Sequence, residues 1–461
     1  MSRRKRSRQR PSDPARMAAA RVLHRVLEYD TFSNESAAYH LSDPSLDARD
    51  RAFASALIFG TLTYLPAIDL DLSAVSSRPL NRLDPWVRTI LRMGVWQLYY
   101  SYHVPARAAC DESVRLTRCF IGERATGFVN GLMRRLSRER PDPPKGAEAA
   151  YRLALPRDLY DALVDWYGEA EAEAIGRAAL EAPEGVAIRP NACQADAFSA
   201  WLSTDEAAVF SPMKSPWPPN AYMVTPEGHS VTATDAYEAG WFTVQSRSAM
   251  LVGLLADARP GDRVLDLCAA PGGKTGHLAE RTGRQASIVA CDVSPERVRD
   301  LREAMRRLGH DAAVTCEVHD ATQHRPAWDR AFDLVLCDVP CSGLGLLDKR
   351  PEIRSRITRE AIDRLVMTQR LILEQAARYV KPGGGLVYAT CTLNPEENGR
   401  QIERFLESPA GGDFERVDIA SDVARWGPKI DPSDGAMGTI QLLKHRHGSD
   451  GFFIAKLRKN A

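Results

Sequence analysis

Apolar positions along the first third of the chain recur at helical spacing. Val22, Leu23, Val26 and Leu27 form one such face, and Val87, Ile90, Leu91 and Leu98 a second. Phe128, Val129, Leu132, Met133 and Leu136 form a third. No alternating strand pattern interrupts them, so residues 14–140 read as an all-helical bundle. The proline-rich RERPDPPKGA at 138–147 closes it as a linker. Residues 148–240 carry a helical stretch around 157–180, then short strand-like pieces and the loop SPMKSPWPPN at 211–220. They read as a small α/β connector. From about 241 to 461 the period changes. VLDLC (264–268), SIVACD (287–292), FDLVLCD (332–338) and GLVYATC (385–391) are short apolar runs of the buried parallel-strand kind. Helical stretches at roughly 295–308 and 358–380 separate them, which predicts a doubly wound, mostly parallel sheet. Ligands of such a sheet gather at the carboxyl ends of its strands. TIQLLKH (439–445) and GFFIAKL (451–457) read as a closing antiparallel hairpin.

A chain of 461 residues calls for two or three domains, and 44% hydrophobic residues supply their cores. No apolar run approaches the roughly 18 residues of a membrane span, so no membrane association is expected. The opening MSRRKRSRQR has no apolar run behind it and is not a secretory signal. The net charge of +1 hides a partition: +9 over residues 1–140, −10 over 141–240 and +2 over the rest. The Arg-rich residues 1–13 read as a basic disordered tail, suited to tether phosphate. Nine cysteines stand in no CxxC pair, which fits free thiols in the cytoplasm and no metal site.

Chemistry concentrates in the second half. In VLDLCAAPGGKT (264–275) a strand ends in a turn of small residues that opens a helix. Cys268, Ala269, Ala270, Pro271, Gly272, Gly273 and Lys274 let a ligand approach the backbone, and helix-terminal N–H groups can bond it. A Walker loop is excluded because Cys268 stands where its first glycine belongs, and G-x-G-x-x-G is absent. Asp292 closes the second strand, where a ribose-gripping carboxylate belongs; Asp320 follows the third and Asp338 ends the fourth. One such aspartate is usually only a cap. Three at successive strand ends beside one turn point to an adenosine pocket. Cys341 in DVPCSGLG (338–345) and Cys391 in YATCTLNPEEN (388–398) both fall at strand ends beside that crevice, in polar loops unlike the setting of an inert buried thiol. Cys110, Cys119, Cys193, Cys291 and Cys316 read as buried and inert.

DLCAAPGGKT, DVPCSGLG and YATCTLNPEEN together resemble the signature motifs of the RNA 5-methylcytosine methyltransferases of the Sun and NSUN type. ARAACDESVRL (106–116) and GFVNGLMRRL (127–136) resemble a NusB-like RNA-binding domain, and the resemblance spans about 14–458. It implies S-adenosylmethionine bound by residues 268–274, Asp292, Asp320 and Asp338. It implies Cys391 as the nucleophile on C6 of the base, Cys341 as the group that resolves the adduct, and Asp338 beside N3 and N4. A NusB-like domain ahead of such a methyltransferase implies a monomer acting on a cytidine of 16S ribosomal RNA, free or in an assembling small subunit. Lys274 fits either the methionine carboxylate or a neighbouring aspartate.

Three positions depart from the family pattern: Val339 for alanine, Ser246 for the aspartate after Gln245, and a DKRPEIR run (348–354) less basic than usual for phosphate contact. Transfer to tRNA or 23S rRNA keeps the same chemistry. An RNA-binding scaffold is disfavoured because both cysteines and the carboxylates coexist. Amino-group methylation is disfavoured because Asp-Val-Pro-Cys replaces the Asn/Asp-Pro-Pro-Tyr loop it needs.

Overall fold

A computed structural model describes residues 13–183, 185–225, 229–427, 435 and 437–461. The basic tail expected over 1–13 lies outside these, apart from Asp13, whose carboxylate accepts Arg16 N–H at 3.0 Å and caps the first helix. Among the described residues, no single helix is long and apolar enough to cross a membrane. The chain forms two compact units, one of residues up to 181 with 347–356, the other of 182–346 with 357–461.

The first unit is helical. Helices Pro14–Glu28, Ala48–Thr63, Leu65–Val75, Ala106–Phe120 and Thr126–Arg138 surround Pro85–Tyr99. That central helix starts where Asp84 accepts Trp86 N–H at 2.9 Å, with Pro85 in the first turn. Its residues Ile90, Leu91, Met93 and Val95 are fully buried. Gly60 allows the closest approach: a Cβ there would fall 2.3 Å from the Trp96 ring.

The expected connector 148–240 does not behave as one piece. Helices Arg157–Tyr167 and Glu169–Ala178 belong to the helical unit, while residues from 182 onward belong to the second. The physical reason lies in 347–356. Arg354, 1% exposed, donates to the carbonyls of Ala179 at 2.6 Å and Ala154 at 3.4 Å. Burial lowers its pKa to about 10. Glu352 accepts Ser33 N–H at 3.2 Å and Ser33 Oγ–H at 2.8 Å, and so caps helix Ser33–Leu41, whose own N-cap Phe32 has no acceptor side chain. Arg356 donates to Val26 and Thr31 carbonyls at 2.6 and 2.7 Å. Arg354, expected in a phosphate-contacting run, is therefore consumed inside the helical unit.

The second unit holds two sheets. A small antiparallel one has the order β2 (Met213–Lys214), β3 (Tyr222–Val224), β1 (Val186–Pro190), β4 (Phe242–Val244). The large sheet contains the parallel strands β5 (Arg263–Asp266), β6 (Ser287–Asp292), β7 (Val314–Val318), β8 (Phe332–Asp338) and β9 (Val380–Thr390). Antiparallel β10 (Phe414–Arg416), β11 (Thr439–Leu442) and β12 (Phe452–Lys459) complete it, in the order β10-β12-β9-β8-β5-β6-β7 with β11 on β12. Both faces are covered: Leu334 and Leu336 face one core, Val335 and Cys337 the other. This is the doubly wound sheet and terminal hairpin that the periodicity predicts.

One buried ion pair ties the small sheet to the helix that follows the small-residue turn. Arg189 on β1 donates to both Glu280 oxygens, at 2.7 and 3.1 Å, to Gly273 O at 2.9 Å, and to Gln245. Burial pushes the Glu280 carboxyl upward, but Arg189 and a hydrogen bond with His310 outweigh it and hold the pKa near 2 against an ordinary 4.5. The resulting stabilisation is complete above about pH 4.5 and is lost as pH falls towards 2. Arg189→Met strands the carboxylate, so it is expected to destabilise this unit by roughly 3–5 kcal/mol. That penalty is expected to be largest at neutral pH and to shrink as acid protonates the stranded carboxyl; thermal melts and circular dichroism across a pH series check both.

Candidate functional site

The turn after β5 is pinned to its neighbours. Leu267 N–H donates to Leu336 O at 3.0 Å, Ala269 N–H to Cys291 O at 2.7 Å, and Gly272 N–H to Ala269 O at 2.8 Å. Gly272 has φ +104°, and a Cβ there would meet Leu301 at 2.8 Å and Met305 at 2.9 Å. Only glycine fits. Helix Gly273–Arg281 begins at once, directing its first N–H groups at the turn. Ala269 and Ala270 are buried, Cys268, Gly273 and Lys274 half-buried, and Pro271 exposed. Burial raises the Cys268 thiol well above its ordinary range.

Asp266 is wholly buried beneath the turn. Thr275 Oγ–H donates to one oxygen at 2.7 Å, while Oδ1 has no partner. Burial is the main cause that lifts its pKa to about 7, with the Asp338 charge adding to it. Asp292 ends β6 and accepts Ser294 N–H at 3.1 Å, with Arg297 3.0 Å from its other oxygen. Arg297 also donates to Ala270 O at 2.7 Å, linking this carboxylate to the turn. Asp320 does act as a local cap: Oδ1 accepts Thr322 N–H and Oγ–H at 2.9 and 2.7 Å, which lowers its pKa. Acceptors on successive strand ends and an unsatisfied buried oxygen suit an adenosine ligand.

Asp338 ends β8 and pairs with Lys274 at 2.5 Å. Burial opposes the Lys274 charge, yet Asp338 outweighs burial and Cys391 adds to it, so the ammonium is held more firmly than usual. Cys341 and Cys391 bring their sulfurs to 3.3 Å. The hydrogen bond to Cys391 is the first cause that pushes the Cys341 thiol well up; burial and the charges of Cys391 and Glu397 follow. Cys341, Cys391 and Asp338 stand out in the sequence, whereas Glu397, which accepts hydrogen bonds from both cysteine loops, does not. Its only signal was its place in NPEEN. Of the thiols expected to be buried, Cys110 and Cys291 are; Cys193 and Cys316 are half-buried and Cys119 is exposed, because it occupies a helix position turned from the core. Ser246, standing for the missing aspartate, caps helix Arg247–Leu255 by accepting Ala249 N–H at 3.3 Å.

Comparisons with known proteins agree with this architecture. Residues 253–458 match the family described as 16S rRNA methyltransferase RsmB/F, and residues 13–138 match the NusB family. The chain is 33% identical over 452 residues to ribosomal RNA small subunit methyltransferase B of Pseudomonas putida, covering 97% of this chain and 98% of the relative. It is 31% identical over 454 residues to a probable ribosomal RNA small subunit methyltransferase B of Synechocystis, covering 96% and 99%. Among solved structures, that of PH0851 superposes with a TM-score of 0.82 at 26% identity, over 98% of this chain and 100% of that one.

Asp292→Ala removes the candidate ribose acceptor. It is expected to weaken S-adenosylmethionine binding by about 1.5–3 kcal/mol, the usual value for a hydrogen bond to a charged group. Titration calorimetry on the full chain measures this.

Proposed function

The chain belongs to the 16S rRNA methyltransferase RsmB/F family, and on that premise we propose that it methylates C5 of a cytidine in 16S ribosomal RNA through a covalent cysteine adduct at C6. Its cofactor is S-adenosylmethionine, which when bound supplies an electrophilic methyl group. The observation that carries the reading is the pair of sulfurs 3.3 Å apart, beside the Lys274–Asp338 ion pair.

Cytosine C5 is too electron-poor to attack a methyl sulfonium. Addition of the Cys391 thiolate forms an S–C6 bond and moves the C5–C6 π pair onto C5, which becomes the nucleophile. Lys274 lies close enough for its charge and that of Cys391 to act on one another. Asp338 holds N3 and N4 as charge develops there. Once Cys391 is bonded to carbon, Cys341 loses two of the causes that raise its pKa, the sulfur partner and its charge, while burial and the Glu397 charge remain. Its pKa falls accordingly, and as thiolate it takes the C5 proton. The C5–C6 double bond re-forms, the S–C6 bond breaks, and Cys391 leaves as thiolate. The turn 268–274, Asp292, Asp320 and Asp338 hold the cofactor. The helical unit, with the basic residues of 1–140, binds the RNA through its phosphates. We read the enzyme as a cytoplasmic monomer acting on free or assembling 16S rRNA.

The two cysteines should fail differently. Cys391→Ala forms no adduct and loses turnover by orders of magnitude while still binding cofactor. Cys341→Ala transfers methyl but stalls before elimination, trapping RNA as a denaturant-resistant band shift that requires S-adenosylmethionine. The double variant shows no shift. An active Cys391→Ala enzyme would sink the covalent mechanism.

Bisulfite sequencing of ribosomal RNA from cells lacking the protein is expected to show one 16S cytidine losing protection. Loss confined to tRNA or 23S rRNA would move the substrate there.

A further inference from the structure

Glu397 is wholly buried, two turns of chain beyond Cys391, and collects donors from three separate segments. Oε2 accepts Ser342 N–H at 2.8 Å and Gln369 Nε2–H at 3.0 Å. Oε1 accepts Ser342 Oγ–H, Asn394 Nδ2–H at 3.2 Å and Thr392 Oγ–H at 3.4 Å. Ser342 directly follows Cys341, and Thr392 directly follows Cys391; their hydroxyls lie 2.6 Å apart. Gln369 also donates to Pro340 O at 2.9 Å, the residue before Cys341. Tyr388 in turn donates to Glu397 O at 2.7 Å, anchoring the backbone.

Five hydrogen bonds converge on this one carboxyl group, three at Oε1 and two at Oε2, and every partner is uncharged. Burying an acidic group among neutral partners is costlier than burying an amide of the same shape. We propose that Glu397 is a positioning residue of the methyl-transfer reaction: its carboxylate gathers the two cysteine loops and fixes Cys341 against Cys391. Its charge acts on Cys341 and helps to keep that thiol protonated, while the cation of Lys274 acts on Cys391. The proposal deepens the covalent reading above and rests on it.

Glu397→Gln keeps the shape but turns an amide donor into a ring of donors. Its kcat is expected to fall at least tenfold, with KM for RNA and Kd for S-adenosylmethionine within about twofold of the parent. Adding Asn394→Asp supplies an acceptor for the new amide and restores the charge next door, so the double variant should recover to within about threefold. Parental kcat in the single variant, or a loss that the double variant leaves untouched, overturns the proposal. If Glu397→Gln does not accumulate folded, Ser342→Ala serves instead: kcat alone should drop about threefold or more, and an unchanged kcat overturns it. Cys391→Ala in the same panel separates the two ideas. An active Cys391→Ala sinks the covalent reading, whereas full activity in Glu397→Gln beside a dead Cys391→Ala sinks only the Glu397 assignment.

Discussion

The thiol pair exists because β8 and β9 run parallel in a register that sets Asp338 beside Ala389. Cys341 then lies three residues past one strand end and Cys391 one past the other. Two further backbone bonds carry the register into the loops: Val339 N–H to Ala389 O at 3.1 Å and Gly345 N–H to Cys391 O at 3.0 Å. A slip of one residue would exchange the faces of Leu336 and Cys337, each buried in a different core, so the hydrophobic packing of both layers guards the spacing of two sulfurs. Everything chemical in the second unit hangs from strand ends fixed in this way.

Charge at those ends is deliberate and costly. Asp266, Glu397 and Glu280 are all buried acids, yet each is kept by a different means. Glu280 has a guanidinium, Glu397 has neutral donors, and Asp266 has one hydroxyl and an unsatisfied oxygen. A structural ion pair, a loop brace and a carboxyl poised near neutral pH follow from those three environments. The acid with the fewest partners is the one beneath the small-residue turn, the candidate ligand loop.

Local signals made much of this readable beforehand. Strands β6 and β8 coincide with the apolar runs 287–292 and 332–338, and the small-residue turn, the strand-end aspartates and both cysteines stood out by spacing. What the chain concealed was non-local. Glu397 acquires meaning only when residues 342, 369, 392 and 394 converge on it, and no periodicity encodes that convergence. Arg354 sat in a run that looks solvent-facing, but its carbonyl partners lie about two hundred residues earlier. The same long-range contacts drew residues 148–181 away from the connector they seemed to begin. Asp320 needed Thr322 to show that it is a cap as well as an acceptor.

The helical unit closes over residues 347–356, which follow the small-residue turn and the first four strands of the large sheet along the chain. Until those residues exist, Ser33 has no capping carboxylate, and the carbonyls of Val26, Thr31 and Ala179 have no arginine. At roughly 5–20 residues per second of synthesis, that interval lasts on the order of 10–35 s after the unit's main stretch has been made. The part of the chain that is born first is therefore finished late, and a nascent chain carries an incomplete bundle while about 175 of its 461 residues are added.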